Sequence, residues 1–312
     1  RGVAREYSHA TKTLFRDPIG HAQPEHVEGF SLQIADQAPI RGQVGCDRFY
    51  VRAIKDLDAN VPTPAWMVTR LKLAGMRSIS LIVDITNYVM LELGQPLHAY
   101  DLDKLKGGIT VRRANAGETL KTLDGQVRKL DAEDLLITDE SGAIGLAGVM
   151  GGESTEVSST TKNVLIEAAH FDPITIARSA RRHKLPSEAS KRFERGVDPQ
   201  VAPYAVARVI QLLEVHAKGA GQNLGADLNN LPAIAAVELP SGFAAALVGV
   251  DYADDEIVTA LEAIGCVVAR VEGGFEVIPP SWRPDLRHKT DLVEEVARIN
   301  GYDRIPASLP VA

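Results

Sequence analysis

The tightest constraint on the fold is the run from Ile79 to Asp101. Ile79, Ile82, Val83, Thr86, Val89, Met90 and Leu93 recur at steps of three and four, the stripe that an amphipathic helix turns toward a core. Gly94 and Pro96 end it, because glycine takes the left-handed cap and proline cannot continue a helix. Thr86 lies on the inward stripe, Asn87 lies beside it, and His98 follows the break, where the chain can fold back. Two readings fit: a capped core helix whose polar groups are satisfied internally, or a hydroxyl, an amide and an imidazole aimed at one site.

At 312 residues the chain has room for two or three domains. No uninterrupted apolar stretch of about 18 residues occurs, which excludes a membrane-spanning helix. The sequence starts at Arg1 with no signal-peptide pattern, so a fragment of a longer protein is expected. Cys46 and Cys266 lie far apart, and so few thiols suit a reducing, cytoplasmic setting.

Residues 1–43 carry a candidate helix over 3–15 and then short pieces broken by Pro18, Pro24 and Pro39. They read as the remnant of an N-terminal region. From Asp47 a strand is expected, with Phe49, Val51 and Ala53 alternating with Arg48, Tyr50 and Arg52. Thr63-Pro64 offers a hydroxyl cap and a proline at the first position of a helix running to Gly75. Ser78 or Ser80 can cap the next one.

After Asp101 short β segments take over at 109–113, 120–123, 127–130 and 135–138, with Asp124-Gly125 a strong hairpin signal. Gly145, Gly148, Gly151 and Gly152 fall within eight residues, permitting positive-φ turns or close backbone approach. The stretch lacks the Gly-Lys-Ser/Thr ending of a nucleotide P-loop, which excludes that reading. Residues 163–169 form an apolar strand containing one carboxylate, Glu167. Such a group is costly unless paired or facing a polar cavity; the alternative is the solvent face of an edge strand.

Helices are expected over 173–184, 187–195 and 199–218. Between Arg178 and Arg195 stand seven cations (Arg178, Arg181, Arg182, Lys184, Lys191, Arg192, Arg195) against Glu188 and Glu194. A local +5 within a chain of net charge −7 is either a polyanion site or a solvated helix face. The Gly-, Asn- and Ala-rich stretch 219–236 reads as a linker. Beyond it, a strand, two short helices over 243–248 and 254–264, a hairpin at Gly273-Gly274 and a helix over 291–300 form a small winged-helix-like α+β module. The chain as a whole is expected to be α+β.

Five ordered blocks carry a resemblance. DITNYVMLELGQPLHAYD, IGLAGVMGGE, VLIEAAHFDP, ARRHKLPSEASKRFERGVDP and SWRPDL followed by DLVEEVARINGYDRIP together resemble the β subunit of bacterial phenylalanine–tRNA ligase. The resemblance covers about residues 44–308. It implies a mixed α/β B3/B4 editing module over 44–225, a linker over 226–236, a B5 module over 237–306 and a truncated tail over 307–312. Residues 1–43 are similar to the stretch after the family's inserted tRNA-binding domain.

What this implies is quality control in a cytoplasmic aminoacyl-tRNA synthetase: hydrolysis of mischarged Tyr-tRNA(Phe). An apolar pocket rejects a hydroxylated isostere by only about a hundredfold, so a second, oppositely selective site is needed. By resemblance that pocket involves Arg77, Thr86, Asn87, His98, Gly148, Glu167, Ser187 and Ala189. Glu167 would accept the tyrosine hydroxyl; His98, Thr86 and Asn87 would position the terminal ribose and the attacking water. Arg178, Arg181, Arg182, Lys191, Arg192 and Arg195 would meet tRNA phosphates, on charge alone. The implied partners are tRNA(Phe) and the α subunit in an (αβ)2 assembly; ATP would bind only in the α-subunit site.

Asp285, Asp291, Glu294 and Glu295 match the family's acidic constellation, associated with Mg²⁺ at the border with the α subunit. Four carboxylates within eleven residues suit a hard cation, or simply an acid-rich helix N-terminus. Departures are Ser187 for a common Thr, Lys184 for a frequent Gly, Pro284 for a usual Phe, and the basic run Arg287-His288-Lys289. A scaffold that binds nucleic acid and the α subunit without turnover is the competing reading.

Overall fold

A computed structural model describes residues 1–307. The tail expected over 307–312 therefore lies, from residue 308 on, outside the described residues. Contacts divide the chain into two units: residues 1–2 with 16–231, and residues 3–15 with 232 onward. The helix expected over 3–15 is α1 (Gly2–Thr11), and residues 3–15 group with the C-terminal unit. The rest of 1–43 is built into the first unit.

Two five-stranded sheets frame the first unit. In chain order it contains β1 (Glu28–Gly29), β2 (Leu32–Ala35), β3 (Cys46–Lys55), α2 (Ala65–Leu73), α3 (Leu81–Leu93) and β4 (Leu97–Asp101). β5 (Ile109–Arg113), the hairpin β6 (Thr119–Lys121) and β7 (Val127–Lys129), β8 (Leu135–Asp139), β9 (Gly142–Leu146) and β10 (Met150–Gly151) follow. Then come β11 (Val164–Phe171), α4 (Pro173–Arg182), α5 (Glu188–Arg195), α6 (Ala202–Ala217) and β12 (Ala220–Asn229). The sheet orders are β1-β12-β3-β11-β4 and β10-β9-β8-β5-β2.

β3 is a central strand buried on both faces. Phe49, Val51 and Ala53 enter one core and Tyr50 and Ile54 another, as the two-residue period of a strand requires. Arg48 and Arg52 are consequently buried too, and each meets a carboxylate: Asp227 at 2.9 Å and Glu25 at 2.7 Å. The first core, with Leu146, Leu165, Phe171, Ile176 and Phe193, packs against the second sheet, α4 and α5. The other face of the first sheet is covered by α2, α3 and α6 through Met67, Leu71, Ile85, Val89 and Val209.

Two local expectations change. Residues 220–229 are not linker but β12, paired antiparallel with β3 from Ala220 to Asn229 around a bulge. Their small, polar composition hid a strand that needs little bulk because its neighbour supplies the core. Thr63 does not cap α2, whose N-cap is Pro64 with no side-chain bond. Its hydroxyl donates to Asp84 at 2.6 Å, and Ser78 Oγ and the Ile79 amide donate to the same buried carboxylate at 2.5 and 2.8 Å. Asp84 thereby organises the entry to α3, which begins at Leu81 and leaves Ile79 outside the helix and exposed. Gly94 ends α3 with φ +86°, in the left-handed cap foreseen for it.

The second unit contains β13 (Val237–Pro240), α7 (Phe243–Val248), α8 (Asp254–Ala263), the hairpin β14 (Val267–Val271) and β15 (Gly274–Ile278), and α9 (Lys289–Asn300). Its antiparallel sheet runs β13-β15-β14 over a core of Leu239, Leu261, Phe275, Val277, Leu292 and Val296. Glu6 of α1 pairs with Arg298 of α9 at 2.7 Å. The architecture is α+β throughout, and no helix among the described residues is long and apolar enough to cross a membrane.

Candidate functional site: a buried carboxylate in an apolar cleft

β11 is flanked on both sides, by β3 and β4, so Glu167 is not on an edge strand. Across one ladder it pairs with Val51, across the other with His98. Residues paired across a ladder share a face, and Leu165 and Ala169, two residues either side of Glu167, belong to the core between the sheets. Glu167 and His98 therefore point into that core, where a cleft of about 90 Å³ opens between them.

Leu97, Ile137, Leu146, Phe171 and Phe193 supply its apolar wall, with Gly148, Gly151 and Ala189 where the backbone comes close. Phe171 and Phe193 meet edge to face at 5.0 Å between centroids. Gly148 closes the Leu146–Val149 turn with φ +64°. A Cβ there would stand 2.9 Å from both Ile176 Cδ1 and Phe193 Cδ2. At Gly151 a Cβ would meet His98 Cε1 at 2.5 Å. The glycine-rich stretch is thus a tight hairpin whose missing side chains make room for the aromatic wall and the imidazole.

The polar contribution to the wall is His98, Tyr100 and Glu167. Tyr100 lies two residues after His98 on β4 and so on the same face; the two rings meet edge to face at 4.4 Å. Its hydroxyl donates to Oε2 of Glu167 in a short hydrogen bond. Burial pushes the Glu167 carboxyl up to about 7, with the Tyr100 bond pulling the other way. Burial alone draws His98 down to about 4, so at neutral pH its imidazole is uncharged. His98 Nε2 is buried with no hydrogen-bond partner, an unsatisfied group of the kind that functional sites retain.

Of the eight pocket residues named from the sequence, the structure brings His98, Gly148, Glu167 and Ala189 into this wall. Thr86 and Asn87 sit on α3, which packs through Ile85 and Val89 on the opposite face of the sheet. Thr86 is buried and gives its hydroxyl to the Val83 carbonyl of its own helix at 2.8 Å. Ser187 caps α5, accepting from the Ser190 amide at 3.0 Å in a reciprocal box. Arg77 is exposed. Tyr100 was missed, although the alternation in Leu97-His98-Ala99-Tyr100 already sets it on the same face as His98 once that segment is read as a strand.

The basic cluster is less free than its sequence charge. Arg178 and Arg182 pair with Glu133 at 2.6 Å, and Arg182 also reaches the buried Asp134 at 2.5 Å. Lys191 and Arg192 both pair with Glu188. Glu133 and Asp134 come from the loop before β8, distant in sequence, whereas Glu188 opens α5 itself. Arg181, Lys184 and Arg195 are left exposed.

The carboxylates assigned to a cation do not converge. Arg283 holds Asp285 at 2.7 Å and Glu295 at 2.9 Å, and Arg298 holds Glu295 at 2.6 Å. Asp291 accepts the Arg287 and His288 amides at 3.0 and 2.8 Å, and Glu294 accepts the Tyr302 hydroxyl. Among the described residues no group of three or more His, Cys, Asp or Glu is placed to hold a metal ion. The donor set, already satisfied by arginines and amides, does not fit Mg²⁺.

The B3/4 domain family matches residues 45–218, and the tRNA synthetase B5 domain matches residues 237–302. The chain is 63% identical over its whole length to the phenylalanine–tRNA ligase β subunit of Leifsonia xyli, of which it covers 37%. It is 51% identical over its whole length to that of Bifidobacterium longum (38% of that protein covered), and 49% identical over 99% of its length to that of Streptomyces avermitilis (37% covered). The chain thus spans little more than a third of these relatives. A solved N-terminal fragment of the Pyrococcus horikoshii phenylalanyl-tRNA synthetase β subunit covers 90% of the chain with a TM-score of 0.42 at 16% identity, too distant to bear on the fold. The chain belongs to the B3/4 domain family, joins that domain to a tRNA synthetase B5 domain, and is similar over its length to phenylalanine–tRNA ligase β subunits.

Proposed function

We propose that the cleft is an editing site that hydrolyses Tyr-tRNA(Phe) and spares Phe-tRNA(Phe), in a β subunit whose α partner carries out ATP-dependent synthesis. The observation that carries this reading is Glu167: a buried carboxylate among apolar and aromatic side chains, already engaged by a phenol. Tyr100 donates to Oε2, and among the described residues no hydrogen bond is made by Oε1. A second phenol, that of a tyrosyl ester, has an acceptor there. A phenylalanyl ester would leave the buried oxygen unpaired, a difference worth roughly 10⁴–10⁵ when the site is built around the hydrogen bond.

Hydrolysis adds water to the ester carbonyl and expels the terminal ribose oxygen, which takes up the proton that water loses. Tyrosine and uncharged tRNA leave. The wall offers no nucleophile–imidazole–carboxylate relay; the neutral imidazole of His98, with its unpartnered Nε2, can hold the water or the ribose hydroxyl. Catalysis in this reading rests on positioning. The exposed Arg181 and Arg195 remain for tRNA phosphates, and tRNA(Phe) and an α subunit in an (αβ)2 assembly are the proposed partners.

Deacylation of both esters by the full-length subunit assembled with its α partner tests the reading. Release of tyrosine with Phe-tRNA(Phe) left intact supports it. Tight tRNA binding without release of either amino acid would favour the scaffold reading instead.

A further inference from the structure

Glu167 accepts a ligand hydroxyl best when its carboxylate is ionised and turned the right way. In an apolar wall neither condition comes from solvent. One side chain favours both. Tyr100 is fully buried, and its hydroxyl is the sole protein donor to Glu167 among the described residues. Its ring is fixed by the edge contact with His98 at 4.4 Å, and the strand pairing of Leu165 with Tyr100 and Glu167 with His98 sets the register that joins them.

We propose that Tyr100 is a positioning residue that sets the selectivity of the cleft: its hydroxyl ties down Oε2 of Glu167 and leaves Oε1 as an acceptor for the hydroxyl of a phenolic amino acid. The proposal rests on the editing reading above and deepens it. The ionisable groups facing Glu167 are His98 and Tyr100 from β4, with Cys46 of β3 within electrostatic reach. His98 is neutral at the relevant pH and the Cys46 thiol is held protonated by burial. Tyr100 is therefore the donor left to favour the ionised carboxylate, since a hydrogen bond to the charged form stabilises that form.

The test is Tyr100→Phe in the full-length subunit assembled with its partner, assayed for kcat/KM on Tyr-tRNA(Phe) and Phe-tRNA(Phe) from acid to mildly basic pH. Phenylalanine keeps the ring and its contact with His98 and removes only the hydroxyl. The tyrosyl ester should lose about tenfold or more at neutral pH, the loss expected for one bond to a charged group. The residual rate on the phenylalanyl ester should hardly change. The acid limb of the tyrosyl profile should move to higher pH, because Glu167 then ionises later. Difluorotyrosine at position 100, a stronger donor, should move that limb the opposite way.

Equal losses on both esters, or an unmoved limb in both variants, would overturn the proposal. Should the unsubstituted enzyme release neither amino acid, the editing reading fails on its own. The Tyr100–Glu167 link is then read from the Glu167 carboxyl band in an isotope-edited infrared titration. The band's midpoint should rise in Tyr100→Phe, and an unchanged midpoint overturns the link.

Discussion

His98 and Glu167 stand directly opposite each other across the β4–β11 ladder, both facing the cleft, and burial moves them in opposite directions. The imidazole is drawn down to about 4 and the carboxyl is pushed up to about 7. Both shifts favour the uncharged form, as desolvation must. The pair is therefore no ion pair at neutral pH.

Glu167 makes stability depend on pH. Its folded-state value lies above that of the unfolded chain, so its contribution is fully present below about pH 4.5 and is lost as pH rises to about 7. Glu167→Gln cannot ionise and escapes that loss. The stability of the variant relative to the parent should climb by about 3 kcal/mol between those limits and then level off. Urea unfolding at several pH values measures this, and a difference independent of pH would contradict the buried, titrating carboxyl.

His98 should be more important for hydrolysis than for folding. Replacing it with leucine removes a buried Nε2 that has no partner, a gain of about 1 kcal/mol or more. It also removes the edge contact with Tyr100, a loss of about 1 kcal/mol. The midpoint of urea unfolding should therefore stay close to that of the parent, while tyrosyl-ester hydrolysis falls about tenfold or more. A large loss of stability with unchanged hydrolysis would make His98 a core residue.

Lys184 has φ +54°, a left-handed conformation that L side chains adopt at a cost of about 1–2 kcal/mol. Its amide donates to the Arg181 carbonyl at 3.2 Å and so closes the turn after α4. Lys184→Gly should raise stability by up to about 1 kcal/mol after glycine's greater chain entropy is subtracted, read as a higher thermal midpoint. A lower midpoint would mean that the lysine side chain contributes something the backbone argument omits.

The helix of residues 81–93, the Asp124-Gly125 hairpin and the apolar strand around Glu167 were legible because period and turn chemistry are local. β12 was not: Gly221, Gly225 and Ala226 look like linker until β3 is beside them. The same holds at the site. Glu167 stood out as a carboxylate in an apolar run, but its donor Tyr100 is 67 positions away. The Arg178–Arg195 charge was legible, whereas its neutralisation by Glu133 and Asp134 depends on a tertiary contact. The resemblance tied Asp285, Asp291, Glu294 and Glu295 to a cation; in the fold Arg283 and Arg298 hold Glu295, backbone amides hold Asp291 and the Tyr302 hydroxyl bonds to Glu294.

Selection of the amino acid by Glu167 is measured most directly by the ratio of kcat/KM for Tyr-tRNA(Phe) to that for Phe-tRNA(Phe), with and without Glu167→Ala, in the assembled full-length enzyme. The parent should favour the tyrosyl ester by roughly 10⁴ or more, and the variant should lose that preference. A variant that still favours the tyrosyl ester to the same degree would contradict the role of Glu167.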